Sequence, residues 1–270
     1  IMYRAKMHNC HARDSMCLMI FAHRLLPGIP LAVAANRDEF HARPTERAGF
    51  WPQRPEVLAG RDLEQGGTWM GITRGGRFAA VTNFRDPDRT EPAPRSRGEL
   101  PLDFLSGGLA PEDYLAQVAA RGADYAGFNL LVGDAEQLWY FDNSPGETPE
   151  ALAPGIYGLS NARLDTPWPK VRLGKARLEQ TLARRRWSHN DLGAVVADRG
   201  LADERELHGQ GLNGEMDRML SAQFIVSEIY GTRSSTSLWL ENGTAHWRER
   251  SFDATGEPTG TVEEKFSLIL

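Results

Sequence analysis

Cys17-Leu18-Met19-Ile20-Phe21-Ala22, the turn pair Pro27-Gly28, and the run from Ile29 to Ala35 that closes on Asn36-Arg37-Asp38-Glu39 together decide the fold. Two short apolar runs joined by a Pro/Gly loop read as a β-hairpin. In a hairpin the start of the first strand lies beside the end of the second. The Cys17 thiol is therefore expected to meet the amide, guanidinium and carboxylates of the tetrad at one end of a sheet. A thiolate is the reactive form of cysteine, and a neighbouring arginine favours the anion, so Arg37 is expected to lower the thiol pKa. If Met16 is removed, the α-amine of Cys17 becomes a general base for its own side chain, oriented by a carboxylate such as Asp38. The same residues also read as a buried structural cysteine followed by a charged turn, because unpaired cysteine is among the most buried residue types.

Four more stretches follow in order: Gly66-Gly67-Thr68-Trp69-Met70-Gly71, Val81-Thr82-Asn83-Phe84-Arg85, Gly158-Leu159-Ser160-Asn161 and Tyr230-Gly231-Thr232-Arg233-Ser234-Ser235-Thr236. With Met16-Cys17 and the tetrad, this ordered set resembles the NRDE family, also called the transport and Golgi organisation family, from Met16 to the C-terminus. The resemblance implies an α+β fold: a four-layer αββα sandwich of the N-terminal-nucleophile hydrolase type, two mainly antiparallel sheets between helices, similar to the choloylglycine hydrolases. It implies Cys17 as nucleophile. Arg37 and Asp38 look like the arginine and aspartate that follow the second strand in those hydrolases, although here they are adjacent and there they are spaced apart. Glu39 and Asn36 thus stay open as alternative partners of the amine. Asn83 ends a strand as the first substrate-facing asparagine does, Asn161 resembles the oxyanion donor, and Arg233 looks like the late arginine near the nucleophile. Read singly, Asn83 and Asn161 also suit turn caps, and Arg233 suits neutralising a surface glutamate.

Three functions follow from the resemblance. One is a cysteine hydrolase that cleaves a linear amide bond in a small acyl-amide metabolite and needs no cofactor. The alternative is a non-catalytic binding or trafficking protein for haem, for which His23, His41 and Met19 are conceivable axial ligands. No C-x-x-C-H attachment signal is present. A third is a hydrolase scaffold kept only for interactions.

The composition limits the partners. The chain has 270 residues, 41% hydrophobic and 25% charged, with a formal net charge of -5. Its longest basic block is Arg184-Arg185-Arg186, which argues against nucleic-acid or anionic-membrane binding. No apolar stretch approaches the roughly 18 residues of a membrane-spanning helix. Two cysteines, Cys10 and Cys17, are too few for a disulfide framework, so a reducing cytoplasm is the expected compartment. Residues 1–15 lack apolar periodicity and a secretory h-region, and read as a non-native leader or a propeptide ahead of a single domain over residues 16–270. His8, Cys10 and His11 in that leader have no partner cluster, so no metal site is expected.

Along the chain, residues 41–55 read as a loop, and residues 84–97, with three prolines and four arginines, as an exposed loop whose arginines suit an anionic substrate or a solvated face. Residues 98–105, 111–120 and 168–185 read as helices, the last with an apolar stripe of Val171, Leu173, Leu178 and Leu182. Residues 223–230 and 234–240 read as two separate strands, and Asn242-Gly243 as a two-residue hairpin turn.

Overall fold

In the computed structural model, residues 17–84, 93–184, 186–209 and 214–269 are described. The leader with His8, Cys10 and His11, and the loop arginines Arg85 and Arg89, lie outside them. The strands β1 (Leu18–Leu26) and β2 (Ile29–Phe40) form the expected hairpin, paired antiparallel from Leu18↔Asn36 to Leu26↔Ile29. Side chains alternate across a strand, and here both faces are apolar. Met19, Phe21, Leu31, Val33 and Ala35 fill one core; Leu18, Ile20, Ala22, Ala32 and Ala34 fill another. A hairpin apolar on both faces must be covered on both.

Eleven more strands follow: β3 (Thr45–Trp51), β4 (Arg54–Asp62), β5 (Met70–Thr73), β6 (Phe78–Asn83), β7 (Phe128–Gly133), β8 (Leu138–Asp142), β9 (Glu150–Ala151), β10 (Gly155–Leu159), β11 (Tyr230–Glu241), β12 (Thr244–Phe252) and β13 (Pro258–Ser267). They make a six-stranded sheet ordered β10-β1-β2-β11-β12-β13 and a seven-stranded sheet ordered β3 to β9. Every ladder is antiparallel. The first core joins the two sheets, with Leu58, Ile72, Phe78 and Leu131 facing Phe21, Val33 and Leu238. The outer face of the seven-stranded sheet is covered by α1 (Glu99–Ser106) and α2 (Pro111–Ala120), through Leu100, Phe104, Leu115 and Val118. The outer face of the six-stranded sheet is covered by α3 (Pro169–Leu182) and α4 (His189–Ala194), through Val171, Leu178 and Leu192. The result is the four-layer αββα sandwich.

Four local expectations are corrected. The tetrad does not form a turn: it continues β2, and Asn36, Arg37, Asp38 and Glu39 are all buried. Residues 41–55 are not a loop, since they hold β3 and the start of β4, with Pro52 confined to the connecting turn. The two strands expected over 223–240 are one, β11; residues 223–229 are irregular and their carbonyls go elsewhere. In α3 the buried stripe is Val171, Gly174, Leu178 and Leu182, while Leu173 is exposed. Among the described residues, no helix is long and apolar enough to cross a membrane.

Gly174 lets α3 approach β1. A Cβ there would lie 2.6 Å from Ile20 Cγ1 and 3.1 Å from Gln223 Nε2. Gly174→Ala is expected to destabilise the fold by roughly 1–3 kcal/mol through overpacking, despite alanine's better helix propensity. A urea midpoint that stays level or rises in this variant would show that the helix does not dock so closely.

Candidate functional site

The site begins with the two ends of the hairpin. Cys17 precedes β1 in phase with Met19, so it looks into the space between the sheets. There it lines a small cleft, partly open to solvent, with Met19, Ala35, Arg37, Trp69 and Thr82. The backbone N–H of Asp38 donates to its sulfur. The expected low thiol pKa is not found. Burial and the Asp38 carboxylate push it up to about 12, and Arg37 and the Asp38 N–H lower it by less. Arg37 instead stacks on Trp69, with its guanidinium carbon 4.3 Å from the ring centre, and donates to Thr45 Oγ1 at 3.1 Å. Cys17 carries a peptide bond to Met16, so its nitrogen is no base while that bond stands.

Alternation sends Asn36 and Asp38 to the other face of the sheet. Asn36 Nδ2 donates to the carbonyls of Val196 and Gln223, both at 2.8 Å, and its Oδ1 accepts from Ser235 Oγ at 2.6 Å. Asn36 is therefore a tie between β2, β11 and the helical layer. Asp38 has no solvent exposure and accepts from Thr232 Oγ1 at 2.6 Å. Burial raises its carboxyl to about 7; the Thr232 hydroxyl, Lys170 and Arg37 oppose that rise.

Lys170, at the start of α3, was not singled out by the sequence. It is 2% exposed and donates from Nζ to Leu220 O at 2.9 Å. Burial lowers its pKa to about 8, against the charges of Asp38 and Cys17, which raise it. A lysine on the buried stripe of an amphipathic helix is the one sequence signal that marks it.

Glu39 points back towards the inter-sheet side, 3.8 Å from Arg37 Nη2 and 3.8 Å from Arg43 Nε. Arg233 sits at a bulge in β11 and donates from Nη1 to the carbonyls of Phe40 (2.8 Å), His41 (3.1 Å) and Arg43 (3.2 Å). These bonds hold the end of β2.

Asn161 arrives from β10. Leu159 pairs with Met19, so Asn161, two residues on, comes level with Cys17, two residues back. Its side chain accepts from Ser160 Oγ at 3.1 Å. The turn that carries it is clamped to the other sheet. Thr82 Oγ1 donates to Ser160 O at 3.0 Å, Asn129 Nδ2 donates to Ala162 O at 3.1 Å, and Tyr140 Oη donates to Asn129 Oδ1 at 2.7 Å. Asn83 ends β6, paired with Phe128, and is half-buried. Strand alternation puts Phe78, Ala80 and Thr82 on the inter-sheet side, so Thr82 and not Asn83 lines the cleft. The structure therefore gathers Cys17, Arg37, Asp38, Glu39 and Asn161, with Lys170 and Thr82 added. Asn83 stands out of phase with them.

The three conceivable haem ligands do not converge. His23 pairs with Leu31 near the hairpin turn, whereas His41 lies ten residues further along, just past the end of β2, with Nε2 3.1 Å from Ser227 O. Ten residues of strand span roughly 33 Å. Met19 is packed in the inter-sheet core. His23 and His41 are therefore too far apart to bracket one iron. Among the described residues, no group of three His, Cys, Asp or Glu could hold a metal ion.

A family model described as Transport and Golgi organisation 2 matches residues 16–254. A Transport and Golgi organization protein 2 homolog from Bos taurus is 36% identical over 92% of this chain and 98% of its own length. A homolog from Mus musculus is 33% identical over the same shares, 92% and 98%. Among solved structures, a Caenorhabditis elegans N-acylethanolamine-hydrolyzing acid amidase ortholog aligns with a TM-score of 0.47 and 10% identity, covering 82% of this chain and 92% of that one. A conjugated bile acid hydrolase variant from Clostridium perfringens aligns with a TM-score of 0.44 and 13% identity, over 93% and 98%.

The Asp38 carboxyl gives the site a pH signature. A carboxyl with a raised folded pKa holds a proton that the unfolded chain has already lost, so stability falls as pH rises through the window between the two values. That window runs from about 4 to about 7. Asp38→Asn removes the titration. Its stability relative to the unmodified chain is expected to improve by roughly 1–4 kcal/mol between pH 4 and pH 8. A difference that is flat with pH, or of opposite sign, in denaturant melts would place the Asp38 pKa in the ordinary range.

Proposed function

The chain belongs to the Transport and Golgi organisation 2 family, and from that premise we propose that it is a cysteine N-terminal-nucleophile hydrolase acting on a linear amide. The observation that carries this reading is the position of Cys17, which stands one residue before β1, open to the inter-sheet cleft, with the Asp38 N–H on its sulfur and the Asn161 turn level with it.

Removal of the residues before Cys17 frees its α-amine. That amine takes the thiol proton, and the thiolate attacks the substrate carbonyl carbon. The carbonyl oxygen becomes an oxyanion, and the Asn161 side-chain amide is the donor proposed for it. The tetrahedral species collapses, the C–N bond breaks, and the leaving amine takes the proton held by the ammonium. Water then hydrolyses the thioester to the acid and the free thiol. A thiol at about 12 is neutral at working pH, which supports the need for a base. Asp38, with Lys170 and Arg37 in its field, would be the carboxylate that holds the ammonium. Arg37 would set the charge near the thiolate, with Glu39 between it and Arg43, while Arg233 holds the end of β2 and Asn36 keeps β2 in register. Asn83 is the weaker of the two asparagine candidates. Haem carriage is the alternative, and in that reading His23 and His41 would not ligate the same iron.

The test is to incubate the protein processed to begin at Cys17 with a panel of acyl amides and acyl thioesters, while titrating haem by absorbance. An acyl adduct in the intact mass that disappears in Cys17→Ala is expected. Asn161→Ala should lower kcat by roughly a hundredfold or more with little change in binding, because an oxyanion donor acts mainly in the transition state. Stoichiometric haem binding that is unchanged in Cys17→Ala, with no acyl adduct on any substrate, would sink the hydrolase.

A further inference from the structure

Lys170 stands where a lysine is costly. It is the second residue of α3 and is buried, although its charge lies in the first turn of a helix, where the backbone dipole favours anions. Among the described residues its one hydrogen bond goes to a neutral carbonyl, Leu220 O. A buried ammonium is strongly disfavoured unless an opposite charge lies near it. Helix propensity and packing therefore do not account for it, and its charged neighbours decide what it does.

The chain over residues 220–225 ties this lysine to the face of β2 that carries Asn36 and Asp38. Leu220 O holds the ammonium at 2.9 Å, and Gln223 Nε2 donates to the backbone carbonyl of Lys170 at 2.9 Å. Gln223 O takes the side-chain amide of Asn36 at 2.8 Å. Two residues on, the Ile225 N–H donates to Thr232 Oγ1 at 2.9 Å, which leaves that hydroxyl to donate to Asp38 Oδ1 at 2.6 Å. A hydroxyl that donates favours the ionised carboxylate. Lys170 and Thr232 thus act on one carboxyl from the same side of the sheet.

The other charges that act on Asp38 come from its own strand and from the thiol. Arg37 favours ionisation but less than Lys170 does, because its guanidinium is drawn to the opposite face, onto Trp69. Glu39 opposes ionisation. The Cys17 sulfur takes the Asp38 N–H, and both Asp38 and Cys17 act on Lys170.

We propose that Lys170 is a positioning residue for the reaction at Cys17: it holds Asp38 in the ionised form, the form that can bind the Cys17 ammonium, and so sets the lower pH limit of turnover. The use of Asp38 in turnover rests on the hydrolase reading above; the pairing of Lys170 with Asp38 does not.

Two titrations test the pairing without any substrate. In the full chain, carried with isotope-labelled aspartate carboxyls, the Asp38 NMR signal is identified by its loss in Asp38→Asn and followed against pH. In Lys170→Met, which keeps the reach of the side chain and drops the charge, the Asp38 midpoint should rise by about one pH unit or more. Coupling between two sites is mutual. The Lys170 midpoint, read from its Cε signal, should therefore fall by a similar interval in Asp38→Asn, and this arm decides if Lys170→Met does not fold. A lysine that only fills space would change stability and leave the midpoints in place, and that result overturns the proposal. In protein processed to begin at Cys17, the acidic limb of kcat/KM against pH should move up in Lys170→Met with the Asp38 midpoint. Coupled midpoints with no turnover of any acyl amide keep the pairing and discard the hydrolase. Turnover whose acidic limb stays put while the Asp38 midpoint moves removes Lys170 from the reaction.

Discussion

The burial of Asp38 is the constraint to which the surrounding structure answers. A carboxylate in the middle of a sheet, covered by helices on one side and by a second sheet beyond, carries a desolvation cost that only hydrogen bonds and opposite charge offset. Thr232 supplies the hydrogen bond, and Lys170 and Arg37 supply the charge. Lys170 in turn is buried and needs a carbonyl, which the irregular segment at Leu220 provides. The same segment offers Gln223 O to Asn36. Within residues 223–229 the carbonyls serve side chains and single backbone N–H groups in place of a ladder: Gln223 O takes Asn36, Ile225 O takes the N–H of Thr232, and Ile229 O takes the N–H of His41.

One strand divides two tasks between its faces. Arg37 and Glu39 look towards the seven-stranded sheet and border the cleft, while Asn36 and Asp38 look towards α3 and hold the sheet to its helices. Cys17 lies where both sets act on it. Two carboxylates and burial hold its proton on.

Much of this was legible. The β1–β2 hairpin followed from two apolar runs and a Pro-Gly turn, and the meeting of thiol and tetrad followed from the hairpin. The ordered motifs pointed to the sandwich. What was not legible has a common cause: polar residues that are buried because they satisfy one another. Gly231, Thr232 and Arg233 made β11 look broken, although the first two are buried and Arg233 is half-buried. Glu46 and Arg47 hid β3 because that strand is an edge with one wet face. Lys170 and Arg97 read as solvated charges because sequence distance conceals Asp38 and Cys17 from them. The clamp of Thr82, Asn129 and Tyr140 on the Asn161 turn joins residues from four separated segments, with no local pattern to reveal it.

The pairing of β2 with β11 has a consequence for how the molecule is made. Ser235 bonds Asn36 across 199 residues of chain, and Thr232 bonds Asp38 across 194. Contacts of such separation form late, after the entropy of closing a long loop has been met. During synthesis the β1–β2 hairpin emerges first, with its charged tetrad unpartnered, and waits for most of the remaining chain. A ribosome must deliver β11 before Asp38 is enclosed, so its buried setting is absent from every nascent chain that stops short of Tyr230. Topology alone sets when the surroundings of Cys17 are complete.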